Sequence, residues 1–215
     1  MEFYGYFRSS CAYRCRIALN LKDVPHSFHS VHLRRNGGEH KSEAFLRVNP
    51  QGLVPALRDG ALLLNQSLAI IEWLDETQPG LAFLPPDPAA KAQVRAFAQM
   101  IACDIHPLQN LRVLQYLGNE FDADQSAKDA WCQQWIGDGL AACESVLARQ
   151  KDPSEFCFGN APGLADICLV PQMFSAARFG VDTSKMPRLN AVYSACQNLP
   201  AFADAAPSKQ PDSET

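Results

Sequence analysis

The apolar residues of the chain change period part-way along it. Phe3, Tyr4, Tyr6 and Phe7 make an apolar run that predicts a short buried strand, and Cys11, Cys15, Ala18 and Leu19 then recur at the spacing of one helical face. Asp23-Val24-Pro25 ends that helix, and Phe28, Val31 and Leu33 alternate with polar residues as a second strand would. A β-α-β unit results. Residues 34–43 are polar around Gly37-Gly38 and predict a loop that leads into a short helix over 42–48. Leu53-Val54-Pro55-Ala56-Leu57 is a third apolar run. Its proline cannot donate to a ladder, so it belongs at the start or edge of the strand, and the bond before it admits the cis form. Arg58-Asp59-Gly60 signals a hairpin into Leu62-Leu63-Leu64, and Ser67 is a cap for a helix bearing Ala69, Ile70, Trp73 and Leu74.

Beyond Gln78-Pro79-Gly80 and Pro85-Pro86-Asp87-Pro88 the strand period does not return. A domain boundary is expected there, separating residues 1–80 from an all-helical 88–215. Val94, Phe97, Ala98, Ile101, Ile105 and Leu108 predict a helix kinked at Pro107. Trp131, Trp135, Leu140, Cys143 and Leu147 predict a long helix with both tryptophans in the core; Ile167, Val170 and Phe174 a third; Leu189, Val192, Cys196 and Leu199 a fourth. The polar tail from Pro207, with two prolines, is expected to pack loosely.

Composition narrows the function classes. The chain has 215 residues, 47% apolar, with a net charge of −4, so it can bury a core but offers no basic tract for nucleic acid. No apolar run is long enough to span a membrane, and Met1-Glu2-Phe3 leads straight into a strand, which sets a cytoplasmic expectation. The eight cysteines are widely spaced and read as reduced thiols; Cys103-Asp104-Ile105-His106 lacks a second half, so no metal is expected.

The candidate chemistry lies where the first strand delivers Arg8-Ser9-Ser10-Cys11 to a helix N-terminus. Unpaired backbone N–H groups and a partial positive charge there stabilise a thiolate. Either Cys11 is that thiolate, or Ser9 and Ser10 hold one belonging to a ligand, with Arg8 as an anion anchor. Gln66-Ser67 opens a second helix, and two such termini could grip the carboxylate and amides of a peptide-like ligand. Each residue also has a plain structural reading: ion pairs for Arg8 and Arg178, solvated or ion-paired roles for Arg14 and Arg16, packing for Cys11, a carbonyl partner for His106.

A thioredoxin-like α/β half followed by an all-α half, with Ser9-Ser10-Cys11, Val54-Pro55 and Gln66-Ser67, resembles the glutathione transferase superfamily. Tyr6-Phe7-Arg8-Ser9-Ser10-Cys11 with Arg14-Cys15-Arg16-Ile17-Ala18-Leu19 is similar to the zeta class, as are His106-Pro107-Leu108-Gln109-Asn110-Leu111, Ala165-Asp166, Arg178-Phe179 and Gln210-Pro211-Asp212. The resemblance covers nearly the whole chain. It implies glutathione as cofactor, held at the entry from Ser9 to Arg14, with Ser9, Ser10 and Cys11, and at His40, Val54, Gln66, Ser67, His106, Asn110, Leu111 and Arg112. It also implies a dicarboxylate substrate met by Arg8, Gln109, Arg112 and Arg178. Two departures stand out. Gly163 replaces the usual hydroxyl residue three positions before Asp166, and Arg112 adds a cation where some relatives have a small polar residue.

The class activity implied is cis-trans isomerisation of maleylacetoacetate to fumarylacetoacetate, in tyrosine and phenylalanine breakdown, by reversible thiolate addition. Catalytic roles then fall to Ser9, Ser10, Cys11, Arg8 and Arg178, in a homodimer. Maleylpyruvate isomerase and transferase activity on α-halo acids are alternatives on the same site. A non-catalytic binding protein is the reading from another class, disfavoured by the intact serines.

Overall fold

The computed structural model describes residues 1–214, and the chain forms two compact units. One comprises Met1–Phe83 together with the chain from Asn198 onward; the other is Leu84–Gln197.

The first unit is built on a four-stranded sheet: β1 (Glu2–Gly5), β2 (Ser27–Ser30), β3 (Ala56–Asp59) and β4 (Leu62–Asn65), in the order β2-β1-β3-β4. β1 pairs parallel with β2, setting Phe3 beside Phe28, and antiparallel with β3, setting Phe3 beside Leu57. Helix α1 (Ser10–Leu21) provides the parallel crossover, and α3 (Ser67–Thr77) packs beside it. A second apolar cluster gathers Tyr6, Phe7, Val31, Phe45 and Val54, the phenylalanine coming from the short α2 (Glu43–Leu46). The opening apolar run is only partly strand: β1 stops at Gly5, and Tyr6-Phe7 fill this cluster instead.

The tail is not loose. Arg16, buried in α1, donates to the Ala205 carbonyl at 2.9 Å and to those of Tyr6 and Phe7 at 3.4 and 2.9 Å. The Asp212 carboxylate accepts from the Phe7 amide at 3.0 Å and the Ser30 hydroxyl at 2.8 Å, and Glu214 meets His32 and Arg35. Composition suggested freedom, but specific carboxylates find backbone donors. Thr215 lies outside the described residues.

The helical unit holds α4 (Pro88–Gln99), α5 (Leu111–Glu120), α6 (Gln125–Ala148), α7 (Leu164–Arg178) and α8 (Pro187–Gln197); α9 (Pro200–Ala203) follows in the first unit. The helix expected to kink at Pro107 instead widens into a π-helical stretch at Met100–Ile105 and tightens into a 3₁₀ turn at His106–Gln109. Proline removes an amide and crowds the preceding turn, so the helix changes winding before reaching it. Helix α5 was not predicted, although Leu111, Leu114 and Leu117 recur along one helical face; it buries no residue completely. Trp135, expected in the core, is 39% exposed, while Trp131 donates to the Leu108 carbonyl at 2.8 Å. Asp166 bonds the Gly163 amide at 2.9 Å, so half of the capping box survives the missing hydroxyl. No helix among the described residues is long and apolar enough to cross a membrane.

Candidate active site

The sharp turn from β1 into α1 places the reactive sequence at a helix N-terminus. Ser9 is the N-cap: its hydroxyl accepts from the Ala12 amide at 3.2 Å. That use of a lone pair leaves the Ser9 hydrogen to donate, while Ser10 and Cys11 are the first two helical residues. Arg8 precedes them with its guanidinium over the Phe7 ring, 5.6 Å from the centroid. Arg14 and Arg16, expected to be ion-paired or solvated, are both buried. Arg14 donates through Nη1 to the Ser67 hydroxyl at 3.3 Å and approaches the Cys11 sulfur at 3.8 Å. One guanidinium therefore spans the starts of α1 and α3.

The second group of residues comes from the loop between α2 and β3. The peptide bond between Val54 and Pro55 is cis. The buried Asn49, whose role periodicity could not show, braces this loop: its amide donates to the Leu53 carbonyl at 2.6 Å and its oxygen accepts from the Gln51 amide and from Asn65. Gln66, not Ser67, is the N-cap of α3, because Gln66 takes a left-handed backbone (φ 69°) and turns the chain off β4, which makes Ser67 the first helical residue. The Gln66 side chain reaches Gln51 at 2.9 Å.

His40 lies half-buried against Gly38, whose φ of 105° and lack of a Cβ leave room for the ring. Burial, and then the Lys41 charge, lower its pKa below 6.5, so the imidazole is neutral at pH 7. Its Nδ1 is buried with no hydrogen-bond partner among the described residues. A polar, peptide-like ligand would supply what is lacking there. Neutral His40, the serine-capped start of α1 and Ser67 fit the amides, thiol and carboxylate of glutathione.

In the helical unit, Asn110 is spent as the N-cap of α5, its oxygen accepting from the Arg112 amide at 3.2 Å. Leu111 and Arg112 thus open α5, and the Arg112 side chain is exposed. His106 begins the 3₁₀ turn. Gln109, assigned to substrate from the sequence, is turned inward and donates to the buried Gln172 of α7 at 2.8 Å. Arg178 ends α7, exposed and stacked on Phe179 at 4.5 Å, where the helix dipole favours a cation.

Comparison with known proteins agrees with this geometry. The family signature described as "Glutathione S-transferase, N-terminal domain" matches residues 8–77. A maleylpyruvate isomerase from Ralstonia sp. is 49% identical over 213 residues, covering 99% of this chain and 100% of that protein. The chain belongs to the glutathione S-transferase family, zeta class. A holo structure of maleylpyruvate isomerase, described as a bacterial zeta-class glutathione S-transferase, superposes on this zeta-class chain with a TM-score of 0.97 at 49% identity and full coverage of both. The maleylacetoacetate isomerase of Pseudomonas aeruginosa is 46% identical, covering 99% of this chain and 98% of its own. The maleylacetoacetate isomerase of Anaeromyxobacter dehalogenans, solved with dicarboxyethyl glutathione and citrate in its active site, is 36% identical with a TM-score of 0.85, covering 99% of this chain and 93% of that one.

Proposed function

We propose that the protein is a glutathione-dependent isomerase converting maleylacetoacetate to fumarylacetoacetate in tyrosine and phenylalanine breakdown, acting in the cytoplasm as a homodimer. The observation that carries this reading is the serine-capped start of α1, with Ser10 and Cys11 in its first turn. Glutathione, when bound, supplies a thiolate that adds reversibly to the conjugated cis double bond and so permits rotation about it. The chain's own part is positional and electrostatic. The α1 dipole and the Ser9 and Ser10 hydroxyls lower the thiol pKa. Val54 offers backbone to the cysteinyl amide, Gln66 and Ser67 receive the γ-glutamyl carboxylate, and His40 completes the cofactor site. His106, Asn110, Leu111 and Arg112 are assigned to glutathione by class resemblance. Arg8, Arg178 and Arg112 hold the dicarboxylate and the negative charge that develops on it; Gln109, turned inward onto Gln172, is assigned to the substrate by class resemblance alone. In domain terms, residues 1–80 bind glutathione and the helical residues from 88 supply the substrate cations. The dicarboxyethyl glutathione bound in the Anaeromyxobacter relative supports a site that takes glutathione together with a dicarboxylate group.

Maleylpyruvate isomerisation is the second reading, favoured by the 49% identical Ralstonia relative. The site and the chemistry are the same; the substrates differ beyond the cis double bond. The test is the ultraviolet absorbance change of maleylacetone and of maleylpyruvate, with and without glutathione. Fast isomerisation of maleylacetone that requires glutathione without consuming it supports the first reading. A rate confined to maleylpyruvate moves the assignment to the second, and no rate with either removes both.

A further inference from the structure

Two arginines of α1, two positions apart, are buried in different ways. Each guanidinium nitrogen of Arg16 has a backbone carbonyl. Arg14 is 1% exposed, yet among the described residues its Nε and Nη2 have no hydrogen-bond partner; there Nη1 alone is engaged, by the Ser67 hydroxyl and the Cys11 sulfur. A buried cation left so incompletely bonded is costly, and an anion brought beside it would offset the cost. The place it points to is the start of α3, an eleven-residue helix whose N-terminus carries partial positive charge.

We propose that Arg14 is a positioning residue for the γ-glutamyl end of glutathione, fixing the Ser67 hydroxyl as a donor and setting a buried positive charge behind the start of α3. The proposal rests on the glutathione reading above. Its first part follows from chemistry: a guanidinium only donates, so at this contact Ser67 Oγ accepts, and the hydroxyl hydrogen is left to point elsewhere. An anionic group at the start of α3 then meets an oriented O–H, the helix dipole and the Arg14 charge together. The free carboxylate of the γ-glutamyl residue is that anion. Through its contact with Cys11, the same guanidinium ties this subsite to the first turn of α1, where the thiol is held.

The test is calorimetric binding of glutathione, and of its analogue with the γ-glutamyl α-carboxylate converted to an amide. The full-length proteins are wild type, Arg14→Met, Arg14→Lys, Ser67→Ala and the double variant Arg14→Met/Ser67→Ala. Arg14→Met is expected to weaken glutathione about 10- to 100-fold, the range for a hydrogen bond to a charged group. It should leave the amide analogue nearly unaffected. The double variant should bind no more weakly than the worse single one, because Arg14 acts through Ser67. Arg14→Lys, which keeps the charge, should recover part of the loss and carries the comparison if the methionine variant does not fold. In rate measurements KM for glutathione should rise while kcat at saturation holds. Equal losses for both ligands, or losses that multiply in the double variant, overturn the proposal. Unchanged binding by the Arg14 variants overturns it alone, whereas a wild type that binds neither ligand removes the glutathione reading with it.

Discussion

The residues assigned to glutathione in the first unit and those assigned to substrate in the helical unit are held by different means. Around β3 and α3 the assigned positions are backed by buried polar groups: Asn49 bonds Gln51 and Leu53 in the loop and Asn65 at the end of β4, and Arg14 donates to the Ser67 hydroxyl. Arg112 and Arg178 instead stand exposed at the first and last turns of their helices, on long side chains beyond the packed core. A cofactor presenting amides and a carboxylate needs donors in fixed geometry, which preorganised backbone and short side chains provide. A substrate that differs only beyond its reacting double bond can be met by exchanging surface cations without repacking. Relatives 49% and 46% identical to this chain are named for different isomerase substrates.

The largest effect that could break the comparison is at Arg178. Arg178→Ala is expected to lower kcat/KM for the isomerised substrate by about 100-fold, the scale of losing one charge-stabilising group. The glutathione dissociation constant, by calorimetry, should be unchanged, and stability should hold within about 0.5 kcal/mol because the side chain is exposed. A matching loss of glutathione affinity would erase the distinction between the two regions. Asn49→Ala tests the other side. It strands the Leu53 carbonyl, the Gln51 amide and Asn65 together, so urea unfolding should show a loss of about 2 kcal/mol, with weaker glutathione binding in parallel. Unaltered stability would mean that the loop before Pro55 is held by apolar packing alone.

Much of the fold was legible because most of its helices and the inner strands β1 and β3 bury apolar residues; β2 and β4 bury none, and β4 was read from the hairpin signal before it. Helices α1, α3, α4, α6, α7 and α8 carry the helical period, and Pro55 was confined to its strand's start by its missing amide. What escaped reading depends on polar contacts between residues distant in sequence. Helix α5 is the exception: Leu111, Leu114 and Leu117 share one face of it, and its period was there to be read. Gln66 became the cap of α3 through a positive φ that propensity does not foretell for glutamine. Asn49 looked like a turn residue beside Pro50; two of its bonds stay within that loop, and the third joins it to Asn65 at the end of β4. Arg14 and Arg16 look alike in sequence; in the fold Arg16 meets three backbone carbonyls and Arg14 a hydroxyl and a sulfur through one nitrogen. The motif residues at the α1 and α3 starts were visible, but the groups that orient them were not.

The C-terminal tail is the finest test of how far the first unit's bracing extends. Asp212 holds the Phe7 amide and the Ser30 hydroxyl, so it fixes the turn that carries Arg8 and Ser9 toward α1. Asp212→Ala should cost about 1–2 kcal/mol in urea unfolding, the worth of two hydrogen bonds to one carboxylate. Glu214 adds a pH-dependent part. His32 Nδ1 accepts from the Arg34 and Arg35 amides, which leaves Nε2 to donate to Glu214 at 2.9 Å. That hydrogen bond, followed by the one from Arg35, lowers the Glu214 pKa below 4.5. A carboxylate with a depressed folded-state pKa binds fewer protons folded than unfolded, so its contribution is present above pH 4.5 and fades as pH falls through the folded value. The urea midpoints of wild type and Glu214→Gln should therefore differ at pH 7 and converge below pH 4.5. A gap that stays constant through acid would assign the Glu214 contact to packing of the tail, not to its charge.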